Sequence, residues 1–133
     1  MGRITAHVAV RSLSEGGESL SCDALVDTDE AYLVLPRAWK ERLGRITTVR
    51  RIQCETATQT LVPGEVCGPV EIRLEGFDPV YGEVLFLDMQ PANGSYEPLV
   101  GYIVLEQAQA GVDMLGHRLV QVGKADLKAV RSG

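Results

Sequence analysis

The stretch that decides the fold is residues 24–36, which reads Ala24-Leu-Val-Asp-Thr-Asp-Glu-Ala-Tyr-Leu-Val-Leu-Pro36. An apolar run leads directly into Asp27 and Thr28, and a second apolar run follows a few residues later. The pattern therefore predicts an acid and a hydroxyl at the abrupt end of a buried strand, where core packing requires neither. A carboxylate beside apolar walls is costly unless it is hydrogen-bonded, paired or protonated. Asp27 and Thr28 are accordingly candidate functional residues, and the alternative is an ordinary surface turn, in which Asp and Thr are common.

The composition predicts a single globular domain. The chain has 133 residues, of which 45% are hydrophobic and 23% are charged, and this length can bury a core without disulfides or metals. We assign the domain to residues 1–122 and a polar C-terminal tail to residues 123–133. The formal net charge of −5 disfavours nucleic acid as a partner, because phosphate binding needs a basic surface. No stretch is typical of a signal peptide or a membrane span, so we expect a cytoplasmic protein without a membrane partner.

The cysteines and histidines do not form a recognisable ligand set. Cys22, Cys54 and Cys67 are odd in number and lack the spacing of a zinc site. His7 and His117 are far apart in the sequence. We therefore expect free thiols in a reducing compartment, and we predict neither a cofactor nor a dedicated metal site.

Alternating residues predict a hairpin that ends at Asp27. Residues 4–10 alternate between apolar and polar, Gly16 and Gly17 predict a turn, and residues 20–26 continue the period of two. The next segment, residues 31–35, is nearly all apolar. It therefore predicts a buried strand immediately downstream of the candidate site.

The rest of the chain predicts short strands and two short helices. Pro36 suits the first turn of a helix, Trp39 and Leu43 continue an apolar stripe, and Gly44 provides a terminator. The remaining predicted elements are a hairpin with a polar tip at 54–59, strands at 70–74 and 80–87, a loop at 90–98, a helix at 102–110 and a turn between 112–113 and 118–122. This pattern predicts a small all-β fold, either closed or sandwiched.

Two stretches resemble the signatures of bacterial retropepsin-like aspartic peptidases. Residues 24–36 look like that family's active-site segment, in which an apolar run precedes Asp-Thr-Gly-Ala. The motif Pro98-Leu-Val-Gly101, followed by a helix and a strand up to Val120, resembles the second signature, in which a glycine packs beneath the active-site loop. The hairpin at 54–59 occupies the expected position of the flap. The resemblance covers roughly residues 4–122.

The resemblance implies a small closed retropepsin-like (acid protease) barrel that forms half of a two-fold homodimer. One Asp27 from each subunit would share a proton and activate a water, which would hydrolyse a peptide bond. Thr28 would brace the two loops across the axis, and Gly101 would let the supporting turn approach closely. The active-site loop would continue through Asp29, Glu30 and Ala31. The flap that would fold over an extended peptide or protein substrate comprises Thr56, Ala57, Thr58 and Gln59.

The sequence departs from this family at the active-site loop, where Asp29 and Glu30 replace glycine and alanine. An aspartate adds bulk and charge beside the dyad, where glycine would leave room for the substrate. The flap tip also lacks a glycine. Three functions are therefore open: an unusual aspartic peptidase, an inactive relative that binds or supports other molecules, and a variant whose clustered carboxylates bind a divalent cation.

Overall fold

The computed structural model describes residues 3–56 and 58–122. The predicted polar tail and Ala57 of the predicted flap lie outside the described residues. Within the described ranges the chain forms nine strands, one α-helix and one 3-10 helix. In chain order these are β1 (Thr5–Ser12), β2 (Ser19–Val26), β3 (Leu33–Pro36), the 3-10 helix (Arg37–Leu43), β4 (Thr47–Glu55), β5 (Leu61–Leu74), β6 (Val80–Leu87), β7 (Leu99–Val100), α1 (Tyr102–Gln107), β8 (Ala110–Asp113) and β9 (Arg118–Gln121).

Seven strands form one sheet whose pairings return to their starting point. The order is β1-β2-β7-β3-β6-β5-β4, and β1 also pairs with β5. A continuous circuit of hydrogen-bonded strands therefore runs through β1, β2, β7, β3, β6 and β5, while β4 lies outside it on the edge of β5. The strands β8 and β9 form a separate hairpin. The all-β architecture predicted from the sequence is confirmed.

The main core fills the inside of this circuit. It combines alternate residues of the strands with side chains from α1 and the 3-10 helix. Its largest fully buried members include Leu33, Leu35, Leu43 and Phe86. A second, smaller cluster lies on the other face of β3, since Val34 alternates with Leu33 and Leu35 and packs against Val66 and Leu85.

The predicted hairpin that ends at Asp27 is present. β1 and β2 pair antiparallel from Thr5 opposite Leu25 to Arg11 opposite Ser19. The parallel pairing of β2 with β7 then places Leu25 beside Leu99 and Val26 beside Val100. The end of β2 is therefore held between two strands at the point where the candidate loop begins.

The two helices are shorter or tighter than the sequence pattern predicts. The segment after Pro36 is a 3-10 helix that ends at Gly44, whose φ of 63° lies in the left-handed region. The predicted helix at 102–110 ends at Gln107 instead, because Gln109 turns left-handed with φ 57° and Ala110 pairs with Gln121. Neither helix of the described part of the chain is long and apolar enough to span a membrane.

Candidate active site

The carboxylate of Asp27 is held in a tight turn at the end of β2. The backbone N–H of Asp27 donates to Val100 O at 3.0 Å, which continues the β2–β7 contact by one residue. The backbone N–H of Asp29 donates to Asp27 Oδ1 at 3.0 Å, and the N–H of Glu30 donates to Asp27 O at 3.2 Å. The turn thus orients the carboxylate through backbone groups, while its side chain stays only partly buried.

Gly101 lies directly beneath this loop. A Cβ built on Gly101 would meet the carbonyl oxygen of Glu30, Tyr32 O at 2.5 Å and the carbonyl carbon of Ala31 at 2.6 Å. The next two residues continue the contact, since the N–H of Tyr102 donates to Glu30 O at 2.8 Å and that of Ile103 to Ala31 O at 3.0 Å. Only a residue without a side chain fits at this close backbone approach.

A cavity of about 270 Å³ opens beside Asp27 and Thr28. Its other lining residues come from the start of the chain, the end of β2 and the β8 region: Arg3, Ile4, Leu25, Val26, Val112 and Met114. Thr28 is exposed. The cavity therefore combines an acid, a hydroxyl, the arginine Arg3 and apolar walls at the surface of one chain.

The two acids that replace glycine and alanine point in different directions. Asp29 is exposed. Glu30 is partly buried, and its Oε1 accepts the backbone N–H of Ala31 at 3.1 Å. Burial, and secondarily the negative charge of Glu30, raise the pKa of the Cys54 thiol on β4. The Glu30 carboxylate is therefore held against the loop backbone, whereas Asp29 faces solvent.

The tip of the β4–β5 hairpin lies at the position predicted for the flap. The N–H of Thr56 donates to Thr60 O at 2.9 Å, and the N–H of Gln59 donates to Thr56 O at 2.8 Å. The hydroxyls of Thr56 and Thr58 lie 3.0 Å apart. Gln59 has φ 63°, so it adopts the left-handed conformation that a glycine would normally supply in such a turn.

The structure thus brings part of the predicted site together. Asp27 to Ala31 and Gly101 form one contacting unit, and Thr28 lines the cavity next to it. Among the described contacts, the link to the hairpin is made by Tyr32, the residue after Ala31, whose hydroxyl accepts from Arg50 Nη2 at 2.6 Å. The exposed tip residues Thr58 and Gln59 do not contact the loop within these described interactions.

Two charged networks on β4 were not predicted from the sequence. On one face, Glu65 of β5 binds Lys40 Nζ at 2.6 Å, Arg37 Nε at 3.1 Å and the Thr48 hydroxyl at 3.0 Å. Arg37 therefore reaches from the 3-10 helix to a distant strand. Glu65 is only 7% exposed.

On the other face, Arg50 Nη2 donates to the Tyr32 hydroxyl at 2.6 Å and to Glu83 Oε1 at 2.9 Å. The sequence offered one indirect signal for this second network, a tyrosine immediately after the candidate loop. No feature of the sequence around Glu65 indicates that its carboxylate is buried.

The described residues include no group of three or more His, Cys, Asp or Glu side chains arranged to hold a metal ion. Within the described part of this single chain, the carboxylates of the loop therefore do not form a cation site. The three cysteines are unpaired.

The fold is that of a retropepsin-like protease. A solved structure described as EIAV protease complexed with the inhibitor HBY-793 superposes with a TM-score of 0.54, covering 79% of this chain and 86% of that chain at 21% sequence identity. At this identity the likeness concerns the fold alone. No protein-family model matches the chain. No curated protein matches it in sequence.

Proposed function

We propose that this protein is a homodimeric aspartic endopeptidase in which each subunit contributes Asp27. The observation that carries the proposal is the position of Asp27: a partly exposed carboxylate, oriented by the Asp29 N–H at 3.0 Å, beside a cavity on a retropepsin-like fold. One subunit provides one such carboxylate. The reaction needs two, so a two-fold axis beside the loop is part of the proposal.

The proposed chemistry follows from placing the two carboxyls close together. Two such groups cannot both be ionised at short distance, so one keeps a proton. The ionised Asp27 removes a proton from a shared water, whose oxygen attacks the carbonyl carbon of the peptide bond. The protonated Asp27 of the partner donates its proton to the carbonyl oxygen. The tetrahedral intermediate then collapses: Asp27 gives the proton that it took from water to the leaving nitrogen, the ionised Asp27 of the partner takes a proton from a hydroxyl of the intermediate, and the carbon–nitrogen bond breaks.

The surroundings of Asp27 support the remaining roles. Thr28 is exposed beside the cavity, so its hydroxyl is available to a second subunit across the axis. Gly101 keeps the loop rigid from beneath through its backbone contacts with residues 30–32. The flap, residues 56–59, would cover an extended peptide, whose main chain would bond to it.

The second hydrophobic cluster supports a preference for apolar side chains in the substrate. Partly buried hydrophobic residues pack around its buried members and form a rim next to the loop and the hairpin. Rim residues include Tyr32, Ile52, Cys54, Leu87, Met89 and Leu99. Apolar side chains of a substrate would be removed from water against this rim. The unpaired cysteines fit the proposal that the protein works in a reducing compartment such as the cytoplasm.

The proposal is tested with an unfolded protein substrate at mildly acidic pH, with peptides identified by mass spectrometry. We expect the wild type to cleave, a statine-type inhibitor to block cleavage, and Asp27→Asn to abolish it. Asp23→Asn is the matched control, because Asp23 lies exposed on the same strand and bonds His7 at 3.0 Å. Equal cleavage by the wild type and Asp27→Asn would contradict the proposal.

The need for two subunits is tested by mixing. If wild-type and Asp27→Asn subunits re-pair at random in equal amounts, about a quarter of the dimers carry an intact Asp27 in both subunits. Activity should then fall to about half of what independent subunits would give. Activity that simply follows the amount of wild-type chain would show that one subunit acts alone.

A non-catalytic binding protein is the second candidate, and the exposed carboxylate of Asp29 next to Asp27 is the observation that favours it. The peptidases that the sequence resembles carry glycine at this position. The test is whether Asp29→Gly makes an inactive wild type cleave, and whether adding Asp27→Asn to that variant removes the cleavage. Both results together would indicate that the natural protein binds peptides at the candidate site without cleaving them.

A further inference from the structure

We propose that Arg50 is a positioning residue that fastens the flap hairpin to the chain leaving the active-site loop. This inference rests on the proposed function, because it treats the β4–β5 hairpin as the flap. Arg50 lies on β4, Tyr32 follows the loop, and Glu83 lies on β6. A single guanidinium nitrogen, Nη2, donates to both partners, to the Tyr32 hydroxyl at 2.6 Å and to Glu83 Oε1 at 2.9 Å.

A β-bulge in β4 directs Arg50 towards these partners. Thr48 lies opposite Cys67 and Arg50 lies opposite Val66, so Val49 is an extra residue in β4. Two residues apart on a regular strand, Thr48 and Arg50 would point to the same face. The bulge reverses this relation, and Arg50 therefore leaves the face on which Thr48 binds Glu65.

The face that Arg50 reaches is the one that carries the second hydrophobic cluster, whose rim is the proposed binding surface for apolar substrate side chains. Beyond the bulge, Ile52 and Cys54 continue along this face and pack against the second hydrophobic cluster. Tyr32 packs against the same cluster with its ring, while its backbone oxygen lies over Gly101. Tyr32 thus touches the support of the loop with its main chain and the base of the hairpin with its hydroxyl.

The contacts of Arg50 are weak enough to break and form again as the hairpin moves. The side chains of Arg50 and Glu83 are 46% and 33% exposed, and pairs at this exposure hold only weakly against water. On the opposite face, the buried Glu65 fixes the base of the same hairpin to the 3-10 helix through Lys40. The base of the hairpin is therefore held firmly on one face, where Thr48 of β4 binds Glu65, and reversibly on the other face, where Arg50 of β4 binds its partners.

Hydrogen exchange of the wild-type protein and its variants tests this role of Arg50 without requiring any catalysis. The hairpin amides to follow are those of Cys54 and Val62, which face each other as a hydrogen-bonded pair, since the pattern alternates from the bond between Thr56 N–H and Thr60 O. Arg50→Gln and Tyr32→Phe should each speed their exchange about threefold, while amides of β1 keep their rates. The double variant should exchange no faster than the faster single variant, because both changes remove the same hydrogen bond. Arg51→Gln is the matched control, since it removes the neighbouring exposed arginine and should leave exchange unchanged.

The peptidase assay then separates the two proposals. If the wild type cleaves, Arg50→Gln should raise KM about threefold and Arg50→Lys should restore part of it, since a lysine can still reach a carboxylate. If the wild type and every variant fail to cleave, the proposed function is wrong, while the exchange rates still decide the role of Arg50. Hairpin exchange in Arg50→Gln and Tyr32→Phe that equals that of the wild type and Arg51→Gln would overturn the inference.

Discussion

Replacing Gly101 with alanine tests whether the candidate loop depends on a close backbone approach. A Cβ at this position would lie 2.5 Å from Tyr32 O and 2.6 Å from the carbonyl carbon of Ala31. All the atoms it meets belong to the backbone, so they cannot rotate away as the end of a flexible side chain would. The φ of Gly101 is −95°, so alanine suffers no backbone strain and the expected cost comes from the steric contact alone.

The magnitude follows from the displacement that the methyl group demands. Because Cβ atoms stay at least 3.0 Å from other heavy atoms, Tyr32 O must retreat by 0.5 Å or more (3.0 − 2.5). Overpacking of this kind costs about 1–3 kcal/mol. The shift also strains the bonds from Tyr102 N–H to Glu30 O and from Ile103 N–H to Ala31 O, each worth about 1 kcal/mol. We expect Gly101→Ala to lower the free energy of unfolding by about 3 kcal/mol.

The assay is urea unfolding followed by circular dichroism, with Gly82→Ala as the matched control. Gly82 also lies in the sheet, partly buried on β6, but an added Cβ would come no closer than 3.9 Å to Gln107 Oε1. Gly82→Ala should therefore change the free energy of unfolding by less than about 1 kcal/mol. If Gly101→Ala is as stable as Gly82→Ala, the close packing of the loop on Gly101 does not hold in solution.

Three further predictions concern charge and protonation. Lys40→Met should destabilise the protein by about 2–3 kcal/mol near pH 7, because it leaves the buried Glu65 with fewer partners. The Lys40 hydrogen bond lowers the pKa of Glu65 below 4.5, so this contribution is present above pH 4.5 and disappears as acid protonates Glu65. Urea unfolding of the wild type and the variant, near pH 7 and below pH 4.5, measures the difference. Burial, with the charge of Asp23, raises the pKa of Cys22 to about 11, so its alkylation at pH 8, followed by mass spectrometry, should be about 100-fold slower in the folded protein than in urea. Asp29→Asn and Asp29→Gly should raise kcat/KM to a similar extent at low salt, and a large effect of Asp29→Gly alone would show that bulk and not charge limits the site.

The hairpin that ends at Asp27 could be predicted because its alternation is local and uninterrupted. The length of β5 could not be predicted, because four residues within it resemble strand breaks in the sequence: Pro63, Gly64, Gly68 and Pro69. The strand continues through them from Leu61 to Leu74, because its neighbours tolerate an irregular register between Cys67 and Val70. Long-range pairing therefore overrides the local signal.

The side-chain networks of Glu65 and Arg50 could not be predicted from the sequence for a different reason. A single-residue bulge at Val49 reverses which residues of β4 face the second hydrophobic cluster. The apolar pattern of this segment is compatible with either arrangement. Glu65 has the character of a solvated strand residue in the sequence. Its burial depends on Lys40 and Arg37, which a 3-10 helix brings across from a distant part of the chain.

The departure at Asp29 is less damaging to the peptidase hypothesis than the sequence alone suggests. Asp29 does not adopt a left-handed backbone, so the conformation of the loop does not require glycine at this position. Its N–H still donates to Asp27 Oδ1, so the contact that orients the carboxylate is made by the backbone and is independent of the side chain. What remains of the departure is the side chain of Asp29, with its bulk and its exposed negative charge, close to the position where two copies of Asp27 would meet. In the proposed dimer such a charge would act on the shared proton and on the approach of substrates, while the geometry of the loop stays intact.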